Sequence, residues 1–351
     1  MIYFLIFSLF FFGYFFPKSK FLTISLFFLL LVISVFVQAG YDINNYAESY
    51  YGTNLGEKSV LFSSLMILSN GAGFSFSFFR FFCFLIWSNV IFTVIKRYSK
   101  RPNYSIICCF FLPLLSFSSQ LRNGVAVGFL YIAFLFLFKN SRFWNIFLFL
   151  AFILIAAAFH KLSFLYLLCL IAIFPISDRK LLIGSMTLFF LLIIVILSGQ
   201  FQDLFDNFAP DNYYVTQYVV EARFNTFVIS VFFFIVFFYT YLSGRSSRIC
   251  NLANNLNQEQ KNFSRIVYRI NIILLPALPF LLISESFFRI FQNVIILSVI
   301  SITNASTDIR LIPHKGVYDR FFYFLFFIMA ASFYIYGQGE FFEVLNSISF
   351  F

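Results

Sequence analysis

Charge is scarce in this sequence. Asp, Glu, Lys and Arg make up 11% of its 351 residues, against 61% hydrophobic residues. A soluble domain is about a quarter charged and roughly half apolar. An apolar excess of this size would aggregate in water, so a soluble fold is excluded and lipid is the solvent that fits. Histidine is scarce too, with only His160 and His314, and there is no Cys-x-x-Cys and no His-Glu-x-x-His. A zinc site therefore has no framework. No glycine-rich loop ending in Lys-Ser or Lys-Thr occurs, which removes a cytosolic nucleotide motor. Of the five cysteines, Cys83, Cys108, Cys109 and Cys169 lie in apolar runs and Cys250 in a polar connector. No extracytoplasmic disulfide is expected from that placement.

What the sequence has is long apolar runs. In lipid every backbone donor and acceptor must be bonded internally, which leaves helices or a closed barrel. Barrel strands alternate apolar and polar residues; these runs are continuous, so an all-α polytopic membrane bundle is expected. About twelve segments approach the length that crosses the hydrocarbon: 1–16, 21–39, 74–95, 103–118, 123–138, 143–159, 162–176, 181–198, 224–242, 266–283, 287–302 and 321–336. The whole chain, 1–351, reads as one transmembrane domain. Its first run lacks a basic start and a small-residue cleavage site and is followed at once by a second, so it reads as a span and not a signal peptide. Phe, at 61 residues, is taken as lipid-facing filler.

The connectors alternate in charge. One set carries Lys18 and Lys20; Lys96, Arg97, Lys100 and Arg101; Lys139 and Arg142; Arg179 and Lys180; Arg245, Arg248, Lys261 and Arg265; Arg310, Lys315 and Arg320. The other carries Asp42, Glu48 and Glu57; Asp203, Asp206, Asp211 and Glu221; Glu285; Glu340 and Glu343. Basic loops stay cytoplasmic, which predicts both termini outside. The net charge of +10 is then mostly a topology signal, and nucleic acid, which needs a soluble basic face, is not an expected partner. Residues 40–73 are expected as an outer loop holding an interfacial helix at Val60–Leu68, 199–223 as a second outer loop, and 243–265 as a cytoplasmic loop.

Cations that break the charge rule point to function, because charge at membrane depth faces a cavity or a partner. Arg122, His160, Lys161, Arg223 and Arg289 fall at outer helix ends, and Arg289 follows Glu285 by four positions, on one helical face. Arg80 and Arg269 lie inside apolar runs, as cavity residues or as slips in the assigned boundaries. Arginine holds a diphosphate with a planar fork of donors, so this set suggests an anionic lipid head such as a polyprenyl diphosphate. Snorkelling anchors and helix-end ion pairs are the plainer alternative.

From Leu121-Arg122-Asn123-Gly124-Val125-Ala126 through Phe159-His160-Lys161-Leu162-Ser163, the sequence resembles the EpsG-like branch of the Wzy-type O-antigen and exopolysaccharide polymerases. That branch shows Ile/Leu-Arg-Gln-x-hydrophobic-Ala, a span, a short Lys-containing turn (here Lys139-Asn140-Ser141-Arg142), another span, and Phe-His-x-Ser. Tyr41-Asp42-x-x-x-Tyr46 and the late Arg289 also fit. Asn123 stands where the family has Gln. The resemblance implies a fold like the class C lipid-substrate glycosyltransferases, without nucleotide sugar, ATP or other cofactor. It implies polymerisation of undecaprenyl-diphosphate-linked repeat units into O-antigen or capsular polysaccharide at the outer face of the bacterial cytoplasmic membrane. A chain-length regulator protein is an implied partner, beside membrane lipid and the lipid-linked glycan. On that reading Arg122, Arg223, Arg289 and Lys161 bind diphosphate, His160 is the base or a second diphosphate contact, and Asp42 is the rival base. A flippase of lipid-linked glycan and an O-antigen ligase are the competing activities.

Overall fold

Apolar runs without water to satisfy their amides close those amides on themselves as helix. The computed structural model describes residues 2–36, 41–52, 59–139, 143–198, 226–253, 256–283 and 287–306, and every regular element among them is helical. The chain forms two compact units, one from the described residues up to Leu167 with 303–306, the other from Leu168 to Ile302.

In the first unit, α1 (Ile2–Phe15) and α2 (Lys20–Phe36) are followed by two short helices, α3 (Tyr41–Tyr50) and α4 (Val60–Gly71). Then come α5 (Phe76–Tyr98), α6 (Pro102–Cys109), a π-helical stretch Phe110–Leu115, α7 (Ser116–Ser119), α8 (Leu121–Lys139) and α9 (Phe143–Phe159). The expected span 103–118 is thus not one regular helix. Pro113 sits inside the π-helical stretch, where its missing N–H and its ring disturb the helical hydrogen-bond ladder.

The second unit takes in the end of a 3₁₀ segment, Lys161–Ile173, then α10 (Asp178–Leu197), α11 (Thr226–Leu252) and α12 (Gln258–Leu274). A 3₁₀ turn Leu275–Leu282, α13 (Phe288–Gln292) and α14 (Ile295–Ala305) follow. The 3₁₀ geometry gives the run expected at 162–176 extra reach. At about 2.0 Å rise per residue, its 13 residues extend about 26 Å, most of the hydrocarbon thickness.

Six helices among the described residues are long and apolar enough to cross a bilayer: 76–98, 121–139, 178–197, 229–252, 258–282 and 288–305. Large apolar side chains face outward on several helices, with Phe21 75%, Phe143 74% and Leu197 73% exposed. In water these would be a liability; on a membrane protein they face acyl chains.

Two close approaches set the packing. A Cβ at Gly128 would lie 3.0 Å from Trp87 Cα and 3.2 Å from the Ile86 carbonyl oxygen, so α5 and α8 touch backbone to backbone, as small residues allow in membranes. Gly128→Ala is expected to cost about 1–3 kcal/mol by overpacking, read as a lowered melting temperature of the purified protein; an unchanged melt would contradict this packing. In the second unit a Cβ at Gly244 would fall 2.7 Å from Tyr268 Cε2, which brings α11 against α12.

The cytoplasmic loop expected at 243–265 is largely helix instead. α11 runs on to Leu252, and α12 starts at Gln258 behind Asn257, whose side chain accepts from the Gln260 N–H at 2.8 Å. The leading serines of this stretch are buried: Ser246 Oγ lies 2.9 Å from Ser301 Oγ, so a helix partner satisfies its hydroxyl. The 40–73 stretch contains two helices, α3 and α4, and at 12 residues α4 is too short to span. The loop 199–223 lies outside the described residues.

Candidate functional site

Helix register, set by side-chain contacts between the helices, locates the residues expected from the sequence. Trp87 packs on Gly124 and Gly128, and further along Tyr98 meets Phe138 with ring centroids 5.5 Å apart. α5 and α8 therefore run parallel. Arg80 lies seven residues before Trp87, and Arg122 lies two before Gly124 and six before Gly128. At 1.5 Å per residue the two arginines sit within about one turn of each other along the bundle.

α9 runs antiparallel to α8. Phe136 stacks on Phe152 at 5.8 Å, and Phe129 stacks on Phe159 at 5.4 Å. Extending that register puts His160, the residue after α9, level with Gly128 at the end of the second turn of α8, about 9 Å along the helix from Arg122.

Helix α4 closes the group. Ser59, immediately before it, donates from Oγ to the carbonyls of Ala158 (3.0 Å) and Phe159 (2.8 Å), two of the unsatisfied carbonyls at the end of α9. One turn later Phe62 meets Phe79 at 5.6 Å, next to Arg80. The first turn of α4 thus bridges the His160 corner to the Arg80 corner.

α3 is laid over the same end by its buried face, Ile43, Tyr46 and Tyr50 at spacings of three and four. Tyr46 meets Phe62 at 5.3 Å. Tyr50 donates its hydroxyl to the Phe74 carbonyl at 2.8 Å, and the Asn70 amide donates back to the Tyr50 carbonyl at 2.9 Å. Asp42, half-buried, precedes Tyr46 by one turn.

Three cationic or titratable residues therefore lie toward one end of the first unit: Arg80 (3% exposed), Arg122 (half-buried) and His160 (6% exposed). Arg80 also places its guanidinium over the Phe76 ring, 5.9 Å from the centroid. Lys161 is exposed while its neighbour His160 is buried. Asn123, in the position where the resemblance has Gln, is 1% exposed, and its amide donates to Gln120 Oε1 at 3.2 Å. Arg289 is half-buried in the second unit, on α13; Arg223 and Glu285 lie outside the described residues.

The family match decides what this arrangement belongs to. The EpsG family model covers residues 19–345. The chain belongs to the EpsG family. Membership supports polysaccharide polymerisation in general. No curated protein and no solved structure matches this EpsG-family chain.

Sequence reasoning left Arg80 and Arg269 open, and the structure separates them. Arg80 joins the cluster above. Arg269 of this EpsG-family chain is a structural clasp: Nε donates to Asp178 Oδ1 at 2.9 Å, Nη1 to the carbonyls of Ala172 (2.6 Å) and Phe174 (2.8 Å), and Nη2 to the Ile176 carbonyl. It satisfies one carbonyl at the end of the 3₁₀ segment and two in the turn beyond it, which water or a helix cap would otherwise take. Ser59 was not singled out at all. Its one sequence signal is a hydroxyl residue just ahead of an apolar run, a helix-start pattern.

Proposed function

We propose that this EpsG-family protein joins undecaprenyl-diphosphate-linked repeat units into O-antigen or capsular polysaccharide at the outer face of the bacterial cytoplasmic membrane. The observation that carries the reading is the gathering of Arg80, Arg122 and His160 at one end of the first unit.

The chemistry asks for two things. An acceptor sugar hydroxyl attacks the anomeric carbon of the growing chain, and the bond from that carbon to the lipid diphosphate breaks. Negative charge grows on the leaving diphosphate, so donors fixed in advance lower the barrier. Arg122 supplies a planar fork there, Arg80 a second and Lys161 a further cation; Arg223 and Arg289 are candidates for the same role from the family resemblance alone. The attacking hydroxyl loses its proton to a base within hydrogen-bond reach. His160 takes that role, with Asp42 as the alternative.

His160→Asn keeps a polar side chain but removes the base. Elongation is expected to fall by about 10²–10⁴, measured as the initial rate of chain growth at saturating lipid-linked donor. Full activity in that variant would move the proton to Asp42.

The test of the function itself is reconstitution. Purified protein in vesicles, given lipid-diphosphate-linked repeat units and no nucleotide sugar, is expected to produce a ladder of lengthened chains. Movement of intact units between leaflets without lengthening would establish a flippase instead. Transfer of finished polymer to another lipid, with no growth, would establish a ligase.

A further inference from the structure

The first unit carries a second cationic feature, at the opposite end of α5 from the cluster above. A cleft of about 480 Å³ is lined by Pro17, Lys18, Lys100 and Arg101. Arg80 and Tyr98 are 18 residues apart on one helix, about 27 Å, so the cleft is separate from the candidate catalytic site. The charge pattern assigns this end to the cytoplasm. We propose that the cleft between the Lys18 turn and the Lys100–Arg101 turn binds a phosphate-ester anion at the cytoplasmic membrane face.

Positive charge in a cytoplasmic loop is by itself only a topology signal, and any Lys or Arg in a short loop serves that end. Exposed Lys96, Arg179 and Lys180 do so here. The cleft is built differently, because its two lips are clasped. Asn103, fully buried, donates its backbone N–H to the Pro17 carbonyl at 3.1 Å and its side-chain amide to the carbonyls of Phe16 (2.8 Å) and Ser19 (2.9 Å). Its Oδ1 accepts from Thr23 Oγ1.

The other lip is braced from behind. The Lys100 N–H donates to Asn304 Oδ1 at 2.7 Å, and Asn304 donates to the Tyr98 carbonyl at 2.6 Å. The Arg101 N–H donates to Ser99 Oγ at 3.1 Å, and its guanidinium stands over the Tyr104 ring at 5.8 Å.

The backbone that carries the three cations is therefore ordered before any ligand arrives, which removes much of the entropic cost of binding. Lys100 and Arg101 are half-buried, and none of the described residues lining the cleft is a carboxylate. An arginine fork takes two phosphate oxygens, and the two lysines add point charges. The volume lies in the range of small-ligand sites. Two sources supply this chemistry at a membrane surface: the headgroup of an acidic phospholipid, or a soluble phosphate.

The experiment uses the full purified chain with phosphatidylglycerol, phosphatidylcholine and inorganic phosphate as probes, with binding read by native mass spectrometry. Phosphatidylglycerol is expected to bind the wild type, and Lys18→Gln/Lys100→Gln/Arg101→Gln to weaken it about a hundredfold. Lys96→Gln/Arg179→Gln/Lys180→Gln removes as much charge outside the cleft and is expected to keep binding within a few-fold. Inorganic phosphate binding with the same dependence on the cleft residues supports the site and makes its ligand the soluble one.

Should the cleft triple variant fail to fold, Lys18→Gln/Lys100→Gln leaves the Arg101–Tyr104 contact and the Asn103 clasp in place, with an expected loss of tenfold or more. Equal binding by wild type and cleft variants overturns the proposal. So does equal loss in the two triple variants, or phosphatidylcholine binding as well as phosphatidylglycerol.

Discussion

Arg122→Ala is expected to cut chain elongation by two to three orders of magnitude, about 10²–10³, while the protein stays folded in the membrane. The residue stands in the first turn of α8, half-buried, and the packing of that helix depends on its neighbours. Gly124 and Gly128 set the contact with Trp87, and Phe129, Phe134 and Phe136 set the contact with α9. Truncating Arg122 leaves those contacts intact and removes a guanidinium from the end of the unit that also carries His160. Loss of one fixed donor to a developing anion lowers turnover by about 10²–10³. Arg122→Lys keeps the charge but not the fork and should fall between wild type and Ala. Initial elongation rate, with membrane level checked by immunoblot, reads both effects. Wild-type chain lengths from Arg122→Ala would remove this residue from the mechanism.

The second large effect is on stability and sits in the other unit. Arg269→Ala is expected to destabilise the protein by about 3–5 kcal/mol, the usual consequence of stripping one partner from a buried charged network. Arg269 is 1% exposed, and its bonds reach Asp178 and three backbone carbonyls from Ala172 to Ile176. Without the guanidinium those carbonyls lose their donors at a point where the 3₁₀ segment ends and α10 begins. Asp178→Asn is the internal comparison. That side chain is 45% exposed, so its share of the ion pair is screened, and its loss should cost no more than about 1 kcal/mol. Thermal unfolding of the purified variants measures both. A wild-type melt for Arg269→Ala would contradict the clasp.

The two arginines show where the sequence is legible and where it stops. An arginine inside an apolar run announces that something pays for its burial, and for Arg80 and Arg269 the run looks the same. Arg80 acquires meaning only through register, because the contact of Trp87 with Gly128 sets its level against Arg122. Arg269 bonds mainly to main-chain carbonyls, which leave no trace in residue types. The all-helical membrane fold follows directly from the apolar runs and the scarcity of charge. Arg122 and His160 stand out because they break an otherwise regular charge alternation. The helix over 243–252 is hard to see because a polar stretch reads as loop, and the partners that satisfy it, such as Ser301 for Ser246, leave no mark in the local sequence. The π-helical stretch at 110–115 is foreshadowed by Pro113, but proline marks a break without saying which form it takes.

The most direct test of the central claim is the surface glycan of the native host after deletion of this gene. Restoring the wild-type gene should return a ladder of chain lengths on a gel, whereas the deletion and the Arg122→Ala allele should both leave a single-repeat band. A ladder that survives the deletion would contradict a polymerase, and disappearance of the single-repeat band as well would point to export or ligation instead.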